Sequence, residues 1–196
     1  MDKLRRQSRQ LSWLLRHGLL KEGIPYGPDG YAKLSDVLTV LSHFTRELVE
    51  AIVAQDGKQR FSLIEREGEL FVRANQGHSE AVGERLNPLQ IYTKITEDCS
   101  CFHGTKYKNV KPIRSSGLNT MSRTHSHFVD AINQDGVTSG FRSDSNVVVW
   151  INMAAAMAAG IEFFRSANGV ILSSGIDGVI PPEFITKVTD LKGNAI

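Results

Sequence analysis

Four leucines near the N-terminus, Leu11, Leu14, Leu15 and Leu19, recur at i, i+3, i+4 and i+8. That spacing lays them on one stripe of a helix, and later parts of the chain have to cover the stripe. The C-terminal turn of this helix carries Arg16 and His17, followed by Gly18, which reads as the helix stop. A guanidinium that is always charged thus stands beside an imidazole that titrates near neutral pH, a pair suited to a phosphate dianion. On these residues alone the simpler reading is a solvated Arg and a His facing the helix dipole. The rest of the chain has to decide between them.

After this helix come a turn-rich stretch over 23–30, a short strand at Tyr31-Ala32-Lys33, and a helix over 36–41 with Ser35 as its N-cap. Thr45 caps a third helix in which Leu48, Val49 and Ile52 keep the helical period, with Gly57 past its end. Two strands near 61–64 and 70–72, joined by Arg66-Glu67-Gly68-Glu69, make a hairpin. The order helix, short strand, helix, helix, hairpin is that of a winged helix, and this part ends near Asn87-Pro88. From Ile91 the texture turns to short β-rich runs. Cys101-Phe102-His103 reads as a strand and Gly104-Thr105 as a turn after it. A helix over 107–116 is stopped by Gly117, and further strands lie near 147–151, 169–172 and 184–188. Asn152 caps an Ala-rich helix that ends at Gly160. The expected fold class is α+β, with an N-terminal winged-helix lobe over 1–90 and a C-terminal β-rich lobe over 91–196.

A chain of 196 residues holds one large or two small cores. Its net charge of +2 permits a nucleic-acid partner without demanding one. No apolar run is long enough to cross a bilayer, and the charged N-terminus leads into no secretory core segment. Cys99 and Cys101, one residue apart, favour free thiols over a disulfide. The expectation is a soluble, intracellular protein without a membrane partner.

A winged helix would ordinarily place its third helix in a DNA groove, but this one, Arg46 to Gln55, carries two carboxylates and one Arg, a poor surface for a polyanion. The cations lie elsewhere: Arg16 and His17, then Lys58 and Arg60 before the hairpin, then Arg73 and His78 after it. Scattered, they are solvated surface charges; converged, they make a phosphate site on the wing side. Cys99, Cys101 and His103 alternate and would share a strand face, and with His125 and His127 they offer zinc ligands. The spacing matches no familiar zinc knuckle, and a buried thiol pair explains the cysteines better. In His103-Gly104-Thr105 the Gly admits close backbone approach, while His and Thr supply side-chain hydrogen bonds. Arg142, Arg123 and Arg165, each beside small hydroxyl residues, read as anion binders or as loop caps. No phosphate-binding loop and no nucleophile elbow occurs.

Taken together, these segments resemble the NAD-dependent RNA 2′-phosphotransferase family, whose members remove the splice-junction 2′-phosphate from tRNA. The matching pieces in the first half are Leu11-Ser12 through Leu14-Leu15-Arg16-His17, Asp29-Gly30-Tyr31, Asp56-Gly57-Lys58-Gln59-Arg60-Phe61 and Ala74-Asn75-Gln76-Gly77-His78-Ser79. In the second half they are His103-Gly104-Thr105, Ser116-Gly117-Leu118, Met121 through His127, Ser139-Gly140-Phe141-Arg142-Ser143, and Phe164 through Val170. The departures are small: Phe128 stands where Leu is expected, and Phe141 where Met is frequent.

The resemblance implies an RNA-holding winged-helix lobe and an ADP-ribosyltransferase-like lobe that takes NAD as co-substrate. It places the essential set on Arg16, His17, Arg60 and Arg142. It places the NAD site on His103, Gly104 and Thr105, with Ser116, Gly117, Leu118, Arg123, His127 and Arg165 around the dinucleotide. Lys58, Arg73 and His78 are the expected RNA contacts, and no metal is expected. The implied reaction joins the RNA 2′-phosphate to ADP-ribose as nicotinamide leaves. It then resolves the ADP-ribosylated RNA into 2′-OH RNA and ADP-ribose 1″,2″-cyclic phosphate. RNA bearing a 2′-phosphate, tRNA foremost, is the expected partner of a monomer. Two other readings are an ADP-ribosyltransferase acting on terminal phosphates of RNA or DNA, and a winged-helix nucleic-acid-binding regulator with a nucleotide-sensing half.

Overall fold

A computed structural model describes residues 3–131, 141–142 and 144–196. The chain divides into two compact units, Met1–Ile91 and Tyr92–Ile196, each with its own core. Both mix helices with antiparallel sheet.

The first unit opens with α1 (Lys3–Trp13), which runs on into a π-helical turn over Leu14–Gly18. Leu11, Leu14, Leu15 and Leu19 are all buried, as their spacing requires. They pack with Val37, Val49, Ile52, Phe61 and Val72 into one cluster. Burying each such side chain contributes about 1.5–3 kcal/mol. Gly18 is not the helix stop: the chain stays right-handed helical through Leu19, and the left-handed glycine is Gly23 (φ 67°). Gly18 is needed for space instead, since a Cβ there would lie 2.9 Å from Cζ3 of Trp13 and 2.9 Å from Cδ1 of Leu14.

Strand β1 (Ala32–Lys33) leads straight into α2 (Leu34–Val40), so Ser35 sits inside the helix and caps nothing; Lys33 holds the cap position, with no side-chain bond. Thr45 does cap α3 (Arg46–Ala54), its Oγ1 accepting from the Leu48 N–H at 3.2 Å. Strands β2 (Phe61–Arg66) and β3 (Glu69–Ala74) form the hairpin, with Glu67 (φ 51°) and Gly68 (φ 79°) both left-handed in a two-residue turn. The sheet order is β1-β3-β2, and the short helices α4 (Glu80–Gly83) and α5 (Pro88–Ile91) close the unit.

The second unit contains β4 (Thr93–Ile95), β5 (Cys101–Thr105), α6 (Val110–Ser116), β6 (Leu118–Asn119), β7 (Ser126–Asp130) and β8 (Val147–Ile151). Beyond these come α7 (Met153–Ala158), β9 (Phe163–Arg165), β10 (Ile171–Ser173), β11 (Val179–Ile180) and β12 (Ile185–Asp190). Among the described residues seven strands form one sheet in the order β12-β8-β5-β7-β10-β9-β4. Gly104 and Thr105 are not a turn: they extend β5 and pair with Val148 and Val147 of β8, a partnership some 40 residues away that local sequence does not announce. The expected helix over 107–116 is a 3₁₀ turn at Tyr107–Asn109 followed by α6. Asn152 caps α7, its Oδ1 accepting from the Ala155 N–H at 3.0 Å.

The sheet parts at β7. Its C-terminal end pairs with β5 through Asp130↔Cys101 and Val129↔Phe102, while residues 126–128 pair with β10 instead. His103, the next residue of β5, stands where the two strands separate.

Candidate active site

The π turn at the end of the first helix is held from outside. The Ser79 N–H and Oγ–H both donate to the carbonyl of Arg16, at 2.9 and 3.2 Å. Gly77 is left-handed (φ 84°), and a Cβ on it would lie 3.3 Å from both Cζ and Nε of the Arg16 guanidinium. The backbone of the loop after β3 therefore lies against this guanidinium and fixes where it points. π turns are rare and recur at functional sites.

Arg60 is anchored on the other side by a turn that starts at Asp56. One carboxylate oxygen accepts from Nη1 of Arg60 at 2.6 Å and the other from its backbone N–H at 2.6 Å; the Lys58 N–H donates at 3.3 Å. The Asp56 side chain is only 5% exposed, against 33% for Arg60. Asn75 completes the frame, donating from its backbone to the Arg60 carbonyl and from Nδ2 to the Gln59 carbonyl. Arg16, Lys58 and Arg60 line one hollow of about 720 Å³, together with Arg5, Arg9 and the hydroxyl-bearing Ser8 and Ser12. Five cations stand there against one carboxylate, which is itself bonded to Arg60. Such a hollow suits a multiply charged anion with room for more than one oxygen.

Of the other cations expected nearby, His17 is half-buried beside Arg16 and is not among the residues lining the hollow. Arg73 does not join them. Its Nη1 donates to the Asp29 carbonyl at 2.9 Å and its guanidinium stacks over Tyr31, 4.6 Å from the ring centroid. His78 is 1% exposed. Arg73 is thus half-buried against Asp29 and Tyr31, and His78 lies within the packing. Arg5 and Arg9 carry no motif of their own; Asp56 opens the matched piece Asp56 to Phe61, an acidic residue at a Gly-containing turn just before Lys58 and Arg60.

In the second unit His103 fills the gap where β7 leaves β5. Its Nδ1 lies 2.8 Å from the His127 carbonyl, so Nδ1 carries the proton and donates, leaving Nε2 as acceptor. Burial first, and the nearby charge of Arg142 second, hold the imidazole pKa below its usual value, against the opposing pull of the His127 carbonyl. The ring is therefore neutral at pH 7, able to accept from a hydroxyl. Arg142 also acts on Arg123, whose pKa is lowered by burial and then by the Arg142 charge. His103, Arg123 and Arg142 thus form one electrostatic neighbourhood, with the His127 backbone as its support. The ring of Phe141 lies on Gly104, where a Cβ would be 2.7 Å from Cε2. Thr105 Oγ1 accepts from Nδ2 of Asn109 at 3.0 Å, and both groups sit just beyond His103.

The remaining candidates divide. Gly117 (φ 81°) lets the chain turn tightly under Ile180, whose carbonyl oxygen a Cβ would hit. Leu118 is 4% exposed in the core and pairs with Ile180, so its side chain is not available to a dinucleotide. Ser116 is exposed at the end of α6. Arg165 pairs with Asp130 at 2.8 Å, the carboxylate 3% and the Arg side chain 32% exposed. His125 packs edge-on to Tyr92 and Phe164, and burial lowers its pKa to about 4. Cys99 and Cys101 are free thiols, and burial raises both pKa values. Cys101 and His103 alternate on one face of β5, as expected, whereas Cys99 precedes the strand and Cys101 is buried in the core. Among the described residues no group of three His, Cys, Asp or Glu is placed to hold a metal ion. Thr138, Ser139, Gly140 and Ser143, which flank Phe141 and Arg142 in sequence, lie outside the described residues.

Comparison with known proteins matches residues 2–175 to the family described as RNA 2′-phosphotransferase, Tpt1 / KptA family. Similar proteins include tRNA 2′-phosphotransferase 1 of Bos taurus, 41% identical over 192 residues, covering 94% of this chain and 75% of the bovine one. The tRNA 2′-phosphotransferase of Saccharomyces cerevisiae is 35% identical over 199 residues, covering 95% of this chain and 84% of its own. A probable RNA 2′-phosphotransferase of Nostoc punctiforme is 37% identical over 185 residues, with 92% and 95% covered.

Proposed function

The chain belongs to the RNA 2′-phosphotransferase (Tpt1/KptA) family, and on that premise we propose that it moves an internal RNA 2′-phosphate, that of a spliced tRNA foremost, onto NAD. The observation that carries this reading is the cationic hollow built around Arg16 and the Asp56-anchored Arg60. Two guanidiniums locked by loop backbone and carboxylate meet the oxygens of a dianion without having to be ordered during binding. The first unit is read as a winged helix that holds the RNA, with β2–β3 as its wing. The second is read as an ADP-ribosyltransferase-like unit that holds NAD as co-substrate.

A phosphate monoester is already ionised at neutral pH, so its oxygen needs no general base to attack C1″ of the nicotinamide ribose. The C1″–N bond breaks, nicotinamide leaves, and the RNA becomes ADP-ribosylated through its phosphate. Arg16 and Arg60 orient the nucleophile, with His17 beside them. The neutral Nε2 of His103 accepts from a ribose hydroxyl and orients the sugar. The backbone at Gly104, bare of a side chain and covered by the Phe141 ring, is assigned to the nicotinamide end. The ribose 2″-OH then attacks phosphorus and the bond to the RNA 2′-oxygen breaks. The RNA leaves with a 2′-OH, and ADP-ribose 1″,2″-cyclic phosphate is the other product. Charge grows on the phosphoryl oxygens in this second step, so Arg142 is assigned there, with His17 as proton donor to the leaving oxygen. One chain supplies every group in this scheme, so it is read as acting as a monomer. Two free thiols fit a reducing compartment.

Duplex DNA is disfavoured as the ligand. On α3 the single guanidinium, Arg46, is bonded to Glu50 at 2.8 Å, so the helix that would enter a groove presents paired charges. Incubation of the protein with NAD and RNAs bearing either an internal 2′-phosphate or a terminal phosphate separates the remaining readings. Nicotinamide release with the internal 2′-phosphate is the expected result. Release confined to terminal phosphates would assign the chain to the other ADP-ribosyl transfer, and release with neither would end the enzymatic reading.

A further inference from the structure

The apolar stripe of the first helix does not account for Trp13. The indole lies off the line of Leu11, Leu14, Leu15 and Leu19 and is 49% exposed. It is nevertheless seated. Its Cζ3 lies against Gly18, where a Cβ would come within 2.9 Å, and the Lys21 ammonium stands 5.9 Å from the ring centroid. Gly18 follows Trp13 by five residues, the spacing of one π turn, so the turn that carries Arg16 also gives the indole its seat. Trp13 forms one wall of a second hollow, of about 480 Å³, whose floor is Leu14, Val40 and Leu41 and whose rim holds Arg6 and Arg9. Arg9 lines this hollow and the phosphate hollow alike, so the two adjoin on either side of its side chain.

We propose that this second hollow is an RNA subsite in which the base of a nucleotide neighbouring the 2′-phosphate stacks on Trp13. The inference rests on the reading of the first hollow as the phosphate site. An aromatic face flanked by Arg and Lys is the arrangement that holds single strands irrespective of sequence: the ring takes the base, and the cations follow the backbone. The charge favours this occupant, since Arg6 and Arg9 line the hollow, Lys21 stands near the ring, and Glu22 is the one carboxylate lining it. The seat against Gly18 fixes the indole before the RNA arrives, so little ordering accompanies binding. The shelf reads single-stranded or unstacked RNA and is blind to base identity.

The test measures Kd for a short labelled RNA in two forms, with an internal 2′-phosphate and without it. Trp13→Ala is expected to weaken both by about tenfold, by the same factor, because stacking does not read the phosphate. Trp13→Phe is expected to recover most of that loss. Arg6→Gln, on the rim, is expected to lower the slope of log Kd against log salt by about 0.7 for a single strand and is independent of how Trp13→Ala folds. An unchanged Kd in Trp13→Ala would overturn the proposal, as would a loss confined to the phosphate-bearing RNA. Self-association of the wild type that Trp13→Ala abolishes would overturn it too, by assigning the face to a second copy of the chain. Failure of the wild type to distinguish the two RNAs would count against the phosphate hollow alone. The tenfold factor for Trp13→Ala would still decide on the shelf.

Discussion

Asp56 shows how one residue sets the value of another. It is nearly buried, and its two oxygens hold the Arg60 side chain and backbone at once. Asp56→Asn keeps the shape but removes the charge that fixes the guanidinium. Catalytic efficiency toward 2′-phosphorylated RNA is expected to fall by about 10–100-fold, and adding Arg60→Ala on top should cost far less than Arg60→Ala does alone. Steady-state kinetics of the two single variants and the double variant check this; full additivity would separate the two residues. If the charge of Arg142 serves the second step as proposed, Arg142→Ala accumulates ADP-ribosylated RNA, and gel analysis of single-turnover samples would show the slower band. Loss of turnover with no such band would remove Arg142 from that role. His125 bears on stability. Its pKa falls from 6.5 in an unfolded chain to about 4 in the fold, so the unfolded state binds the proton more readily. Its contribution is whole above pH ~6.5 and is lost as pH falls toward ~4, on the order of 3 kcal/mol when complete. Denaturant unfolding at several pH values should therefore show a slope in that window that His125→Phe flattens.

At the scale of elements, the features legible in the sequence and those hidden from it divide by distance along the chain. The Thr45 and Asn152 caps are legible because a side-chain oxygen bonds an N–H three residues on. So is the hairpin, whose turn residues announce themselves. Ser35 is just as good a cap chemically, but β1 delivers the chain into α2 two residues earlier. Gly18 misleads because a glycine near a helix end serves either a left-handed stop or close packing, and the ring that needs the space is not part of the stop pattern. Gly104 and Thr105 read as a turn until β8 pairs with them from across the sheet. Arg73 reads as a free cation because Asp29, its partner, lies 44 residues away. The hairpin turn also carries a testable strain: Glu67, with a Cβ, occupies a left-handed position at φ 51°. Glu67→Asn is expected to raise stability by about 1 kcal/mol, read as a higher denaturant midpoint with unchanged slope. An unchanged midpoint would mean the turn is relaxed as it stands.

At the scale of the whole molecule, two units with separate cores gather two different sets of charged and polar side chains. One gathers Arg16, Lys58 and Arg60 from a helix end and a pre-strand turn into a hollow for an anion. The other gathers His103, Arg123 and Arg142 around the place where a sheet parts. Family membership is legible from the ordered set of short motifs, none of which decides anything alone. Pairings such as Arg165 on Asp130, between residues far apart in the chain, are not. Among the described residues no helix is long and apolar enough to cross a membrane. The central claim is that phosphorus leaves the RNA and ends on ADP-ribose. It is tested by following an isotopic label placed in the internal 2′-phosphate through a reaction with NAD. The account predicts that the label appears in ADP-ribose 1″,2″-cyclic phosphate, one for each nicotinamide released. Label recovered as inorganic phosphate without NAD, or retained on the RNA while nicotinamide is released, would contradict it.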